Sequence, residues 1–466
     1  MLRRLAAVAV SGAALTAAAC TSSVSGRGRA GPAPADASGA PSRSCTVYRP
    51  PDPNRPRMTL AFAIAADHRT VQGHEAVIFR PDHPVTELVF RLTANTRPSV
   101  AEGNRIEVTA ASADHGAGRY RFTTANADPR TQGGLLHIPF AAVQPAGTTL
   151  AARIDFTLTL GVNSFDRFGR AGDYAYFGSG EPLLAWERGV GWHTEDMVDF
   201  PAESATSEAM DVDLAVTAPA ADTVIMSGDP ADPPASGATR TWHSRVATAR
   251  DVSVAAGPFA VTDTVVDGVR LRVGAPSAAV RDALVPEFRR AISELARRFG
   301  PFPFPALSVA RVPASGGGIE YPSSILMLDG SRLVAVHETA HQWFYAMVGD
   351  SQALHPWLDE AFAQYAEELV NGDAPGSSPL DAPGPVDAST ESYGTDMNRY
   401  YLTTYGKGSA ALLAARQAAG PARWDAALRC YVAANAWRIA GPEDLARALA
   451  GLPAGLAVLR SAGALR

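Results

Sequence analysis

The chain has 466 residues, 46 % of them hydrophobic, and a formal net charge of −6 from 41 basic and 47 acidic side chains. That length accommodates two or three domains, each with a core of its own. With no basic block, nothing points to nucleic acid as a partner, and with mean hydropathy near zero and no later apolar run of spanning length, an integral membrane protein is disfavoured.

Residues 1–19 read as an export signal: Arg3 and Arg4, then the apolar stretch from Leu5 to Leu15, then Ala17-Ala18-Ala19. Small residues directly before Cys20 resemble a bacterial lipobox, in which the cysteine is lipidated after cleavage. The expected location is the cell surface, with a lipid anchor at the outer face of the bacterial plasma membrane. Ordinary signal-peptide cleavage is the alternative, since Ala17 stands where leucine is usual. Residues 20–45 supply Cys20 and a tether of Gly, Pro, Ala and Ser, too poor in apolar side chains to offset the cost of ordering. In an oxidising compartment Cys45 and Cys430 invite a disulfide, though Cys430 lies in a helical pattern and fits a buried thiol equally.

From Val47 to Phe259 alternation dominates. Ile154, Phe156, Leu158 and Leu160 face one way and Arg153, Asp155, Thr157 and Thr159 the other. Met210, Val212, Leu214 and Val216 repeat the pattern, as do Leu88, Phe90 and Leu92. Many short strands with Gly-, Pro- and Asn-rich turns predict an antiparallel β saddle or sandwich over 46–262. His193, Glu195 and Asp196 fall there without ligand spacing and read as solvated loop residues.

The pattern changes near Val261. A strand from Val269 to Val273 precedes a helix from Ala278 to Phe299, in which Pro286 marks either a kink or the true start. A strand from Ala306 to Val312 follows. This opens an α+β domain over 263–466. Next comes Gly316-Gly317-Gly318-Ile319-Glu320-Tyr321. Backbone without side chains lets a peptide approach and pair as an added strand, and a carboxylate at the end of that strand can pair with an ammonium group.

His337-Glu338-x-x-His341 lies in a segment whose apolar residues, from Leu333 through Ala340 to Met347, recur at helical steps as far as Gly349-Asp350. Residues four apart share a helix face, so both imidazoles address one point while Glu338 lies beside it. A second helix, Trp357 to Val370, closed by Asn371-Gly372, would return Glu360 to the same point. Two histidines and a carboxylate with an open fourth position are the ligand set of a catalytic zinc. Composition alone produces such a motif in about one chain in a hundred of this length, so a coincidental core helix is the poorer reading. Residues 373–394 read as a surface loop. Tyr405-Gly406-Lys407-Gly408, holding the only lysine, opens a helical run to Ala419. Helices follow at Pro421 to Trp437 and Pro442 to Ala450.

The HExxH-x18-E spacing followed by Trp357-Leu358-Asp359-Glu360-Ala361-Phe362-Ala363 resembles the aminopeptidase N family of gluzincin zinc metallopeptidases. The family carries Asn-Glu-Gly where this chain has Asp359-Glu360-Ala361. The resemblance implies an α+β architecture, with an antiparallel β saddle followed by a thermolysin-like, mainly helical catalytic domain. It also implies one zinc ion on His337, His341 and Glu360, Glu338 as general base, and Tyr405, in a Tyr-x-Lys-Gly context, as the stabiliser of the oxyanion. Gly317, Gly318 and Glu320 match the segment that runs along the substrate and holds its free amino terminus, with Tyr321 in place of Asn. A further side chain, Glu181 or Glu187, would assist. The implied partners are peptides with a free N-terminus. Larger members continue with a β module and a helical domain beyond the point where this sequence stops, so an endopeptidase with an open cleft is the alternative. A non-catalytic surface binding protein on the same scaffold is another. Oligomeric state is not legible.

Overall fold

The computed structural model describes residues 45, 47–162, 167–202, 205–234, 237–372 and 380–466; the export signal, Cys20 and most of the tether lie outside them. Alternating strands build the first half. A six-stranded sheet runs in the order Thr239–Ala249, Met210–Pro219, Arg57–Ile64, Thr70–Phe79, Leu150–Thr159, Arg105–Ala113. All its pairs are antiparallel except Arg57–Ile64 with Met210–Pro219. Its apolar face carries Leu60, Phe62, Ile154, Phe156 and Leu214, all buried, while Arg153, Asp155 and Asp213 point to solvent. Period-two alternation therefore marks a half-buried sheet here, as expected. Val85–Arg91 departs from it: Val89 and Arg91 are as buried as Leu88 and Phe90, because both faces of that strand are covered.

A four-stranded sheet ending in Tyr174–Gly178 and Phe168–Ala171 then packs on the second half. There a mixed sheet runs Ala260–Val266, Val269–Ala275, Ala306–Arg311, Ser324–Met327, Gly318–Tyr321, with three parallel strands at its centre. The crossover between the first two parallel strands is the helix Ala278–Phe299. Its start is fixed by Ser277, whose side chain accepts from the Val280 N–H. Pro286 therefore sits inside the helix and does not begin it. Beyond the sheet the chain is mainly helical: Arg332–Ala340, Trp357–Asn371, Gly408–Ala419, Pro421–Asn435, Pro442–Ala448 and Pro453–Ser461. The last was not expected. These helices share one apolar core, which includes Trp343, Trp357, Phe362 and Trp424. The β-rich first half followed by a mainly helical second half agrees with the fold class read from sequence.

Cys45 and Cys430 form a disulfide, tying the start of the described chain to helix Pro421–Asn435. Three residues on, Tyr48 donates to the Pro301 carbonyl and accepts from the Trp343 indole at 3.2 Å. No helix among the described residues is long and apolar enough to cross a membrane.

Candidate metal centre and substrate cleft

Helix Arg332–Ala340 begins at Ser331, whose hydroxyl accepts from the Leu333 N–H, and ends with His341 as its C-cap. The spacing predicted a helix running on to Met347. Instead, residues 341–347 turn back, and Trp343, Phe344 and Met347 reach the core from the turn. His337 and His341 remain one turn apart, with ring centroids 5.0 Å from each other. Helix Trp357–Asn371 ends at Gly372 in a left-handed conformation and lies against the first. Its first turn brings Glu360 to the imidazoles: one carboxylate oxygen is 3.3 Å from His337 Nε2 and 3.4 Å from His341 Nε2.

These distances test whether the donors fit zinc. Ligands at 2.0–2.1 Å on a tetrahedron are separated by roughly 3.3 Å, which matches both. They exceed the ~2.8 Å of a good charge-assisted hydrogen bond. The tautomers fit as well. His341 Nδ1 lies 3.1 Å from the Phe344 carbonyl, which can only accept, so that nitrogen carries the proton and Nε2 offers its lone pair. His337 Nδ1 faces Glu367 at 3.5 Å. Burial pushes the His337 imidazolium down, but Glu360 and Glu367 raise it to about 10. Burial likewise raises the Glu360 carboxyl, and the two histidines outweigh it and hold it well below the usual range. The donor set favours positive charge at this point, and His337, His341 and Glu360 suit a zinc ion.

The cleft around these residues encloses about 560 Å³. Along one side runs the edge strand Gly318–Tyr321, antiparallel to its hairpin partner Ser324–Met327. Gln342 docks this hairpin on the metal helix, donating to the Tyr321 carbonyl at 3.0 Å and accepting from the Ser323 N–H at 2.9 Å. Gly318 lies over Glu338: a Cβ there would come within 2.4 Å of the Glu338 Cγ. Glu320 lies toward the other imidazole, 4.0 Å from His341 Nδ1, and is only 5 % exposed. Tyr321 is buried against Gly178, where a Cβ would collide with its ring. Arg167 lines the same cleft.

Tyr405 comes from a π-helical turn, Tyr401–Lys407, which lengthens the helix by one residue at this point. Lys407 pins the turn by donating to the carbonyls of Ala382 and Gly384 at 2.8 and 2.7 Å. The Tyr405 ring stacks on His337 with centroids 5.8 Å apart and planes 8° from parallel, and the Glu360 carboxylate lies close enough for its charge to act on the Tyr405 hydroxyl. Burial, then the Glu360 charge, pushes the phenol well above its ordinary range, so it stays protonated and can donate.

The structure brings His337, Glu338, His341, Glu360, Tyr405, Gly317, Gly318 and Glu320 to one cleft. Of the two proposed assistants, Glu187 is turned away and bonds His193 at 2.6 Å. Glu181 is fully buried and does not line the cleft. His193 corrects the sequence reading: it is 3 % exposed, clamped between Glu187 and Glu195, because both ring nitrogens find carboxylates there. Gln342 and Glu367 were missed. Glu367 lies two helical turns after Glu360, a spacing that could have revealed it.

Residues 323–459 match the Peptidase family M1 domain model. That segment is similar to the M1 peptidase domain. Among solved structures, an M1 zinc metallopeptidase from Deinococcus radiodurans shares 19 % identity over 88 % of this chain and 92 % of its own, with a TM-score of 0.66. A mutant of a two-domain M1 zinc metallopeptidase, bound to L-tryptophan, shares 18 % identity over 90 % and 98 %, also with a TM-score of 0.66. A mutant M1 zinc metallopeptidase from Deinococcus radiodurans, bound to a Tyr-Ser-Ala substrate, shares 19 % over 88 % and 94 %, at 0.63. At such identities these likenesses establish the fold. No curated protein sequence matches. The matched segment contains His337, His341 and the Glu360 helix, the candidate metal donors.

Proposed function

We propose that the protein is a zinc aminopeptidase that removes N-terminal residues from peptides. The observation that carries this reading is Glu320, a buried carboxylate lining a cleft whose edge strand can pair with an extended peptide. His337, His341 and Glu360 would hold the zinc, which supplies Lewis-acid polarisation of the scissile carbonyl and a water acidic enough to react. Glu338 takes the proton of the attacking water and returns it to the leaving amine. Tyr405 donates to the oxygen on which charge develops. Glu320 holds the substrate ammonium and so fixes the scissile bond one residue from the N-terminus. The relative solved with a Tyr-Ser-Ala substrate supports peptides as the substrate class.

A charge-assisted hydrogen bond to that ammonium is worth about 1.5–3 kcal/mol, so N-acetylation of an aminoacyl amide should cost roughly tenfold to hundredfold in kcat/KM. Glu320→Ala should be slow on the free substrate and discriminate little between the two. Equal cleavage of free and acetylated substrates by the wild type would favour an endopeptidase; no cleavage of any peptide would favour a binding scaffold. Export and lipidation at Cys20 belong to the same proposal, placing the cleft at the cell surface.

A further inference from the structure

The turn that follows the metal helix contains a residue in an unfavourable conformation. Tyr345 has φ 110°, a backbone region that a bulky side chain occupies only when its surroundings hold it there. Two consecutive residues from the sheet-rich half do so. The Arg250 guanidinium, 3 % exposed, donates to four main-chain carbonyls: Tyr345 at 2.9 Å, Ser207 at 2.8 Å, Arg438 at 2.8 Å and Met347 at 3.4 Å. Asp251 accepts from the Tyr345 hydroxyl and, at 2.6 Å, from Ser179. Tyr345 is thus gripped at both its carbonyl and its side chain. The turn closes on the guanidinium so tightly that a Cβ on Gly349 would lie 2.2 Å from its central carbon. All four of these hydrogen bonds go to backbone carbonyls, which offset the cost of burying the charge.

What this grip controls lies one peptide away. The Phe344 carbonyl that accepts the His341 Nδ1 proton belongs to the peptide plane turned by the Tyr345 φ angle. The Ala346 N–H, on the other side, donates to the His341 carbonyl at 2.9 Å. If Tyr345 relaxed to an ordinary φ, the Phe344 carbonyl would swing away from the imidazole. We propose that Arg250, assisted by Asp251, is a positioning residue of the metal site: it holds Tyr345 in place and, through the Phe344 carbonyl, sets the tautomer and aim of His341. The inference rests on the zinc reading above.

Losing an outer partner of a metal-binding histidine costs about 10–100-fold in metal affinity. Competition with a chromophoric chelator should therefore show the zinc Kd of Arg250→Ala raised by that factor, and the visible spectrum of the cobalt-loaded protein should change. Free guanidinium ion at millimolar concentration should restore both. A purely structural peg would lower the melting temperature and leave these readouts alone, so a folded Arg250→Ala with wild-type zinc affinity and cobalt spectrum overturns the proposal. Should Arg250→Ala fail to fold, the same titration on Arg250→Lys decides, since an ammonium cannot reach four separated carbonyls: a raised Kd supports the proposal and an unchanged one overturns it. A wild-type protein that binds no zinc would instead overturn the metal reading, and this inference with it.

Discussion

Tyr405→Phe removes one oxygen atom and leaves the ring, which remains stacked on His337 and packed against Tyr400 and Tyr401 at centroid distances of 5.8 and 4.9 Å. The packing contribution should therefore survive. Two losses remain. The first is the polar contact with Glu360, a candidate metal donor, whose loss is worth up to about 10–100-fold in metal affinity and is offset by saturating zinc. The second is a donor to the developing oxyanion, worth about 2.7–4 kcal/mol, or roughly 10²–10³ in kcat. Steady-state kinetics on an aminoacyl amide at saturating zinc should therefore show kcat reduced by that factor and KM changed only slightly. Because the phenol titrates well above its ordinary range, the ratio of mutant to wild-type kcat should stay constant through neutral pH. A kcat within a few-fold of wild type, or a loss confined to KM, would refute the role given to Tyr405.

Two adjacent glycines should behave differently. Gly318→Ala places a methyl within 2.4 Å of Glu338, whereas a Cβ on Gly317 meets nothing within 4 Å. Displacing a catalytic group by about an ångström can cost ~10²-fold, so kcat should fall on that order in Gly318→Ala and hardly change in Gly317→Ala; equal effects would contradict the geometry. For the N-terminus, wild type should fractionate with membranes and Cys20→Ala should be released or left unprocessed, and a mature protein that keeps Met1 would refute export.

The metal site was legible because its chemistry depends on spacing within single helices. His337 and His341 one turn apart keep their relation whatever surrounds them, and Glu360, in the first turn of the next helix, needs only the packing of that neighbouring helix to join them. The helix Ala278–Phe299 was legible for a similar reason, since its start rests on the local Ser277 cap. Where tertiary contacts decide, the reading failed. Trp343, Phe344 and Met347 have helical spacing, yet the helix ends at Ala340, because Arg250, nearly a hundred residues earlier, holds the following turn. His193 looked solvated because Glu187 and Glu195 gain meaning only once the sheet folds them around it. Gln342 acts through the backbone of a hairpin, which leaves no periodic trace. Glu181 and Glu187 could not be separated by position alone; one ends in the interior and the other in an ion pair with His193.

The central claim, a zinc-dependent removal of N-terminal residues, is tested most directly by measuring zinc content and peptide products on the same preparations of wild type, His337→Ala and Glu338→Gln. Mass spectrometry of an unblocked peptide should show stepwise shortening from the N-terminus with wild type loaded with one zinc. His337→Ala should hold no zinc and leave the peptide intact, while Glu338→Gln should hold zinc and also leave it intact. Equal zinc in wild type and His337→Ala, or internal cleavage by the wild type, would contradict the account.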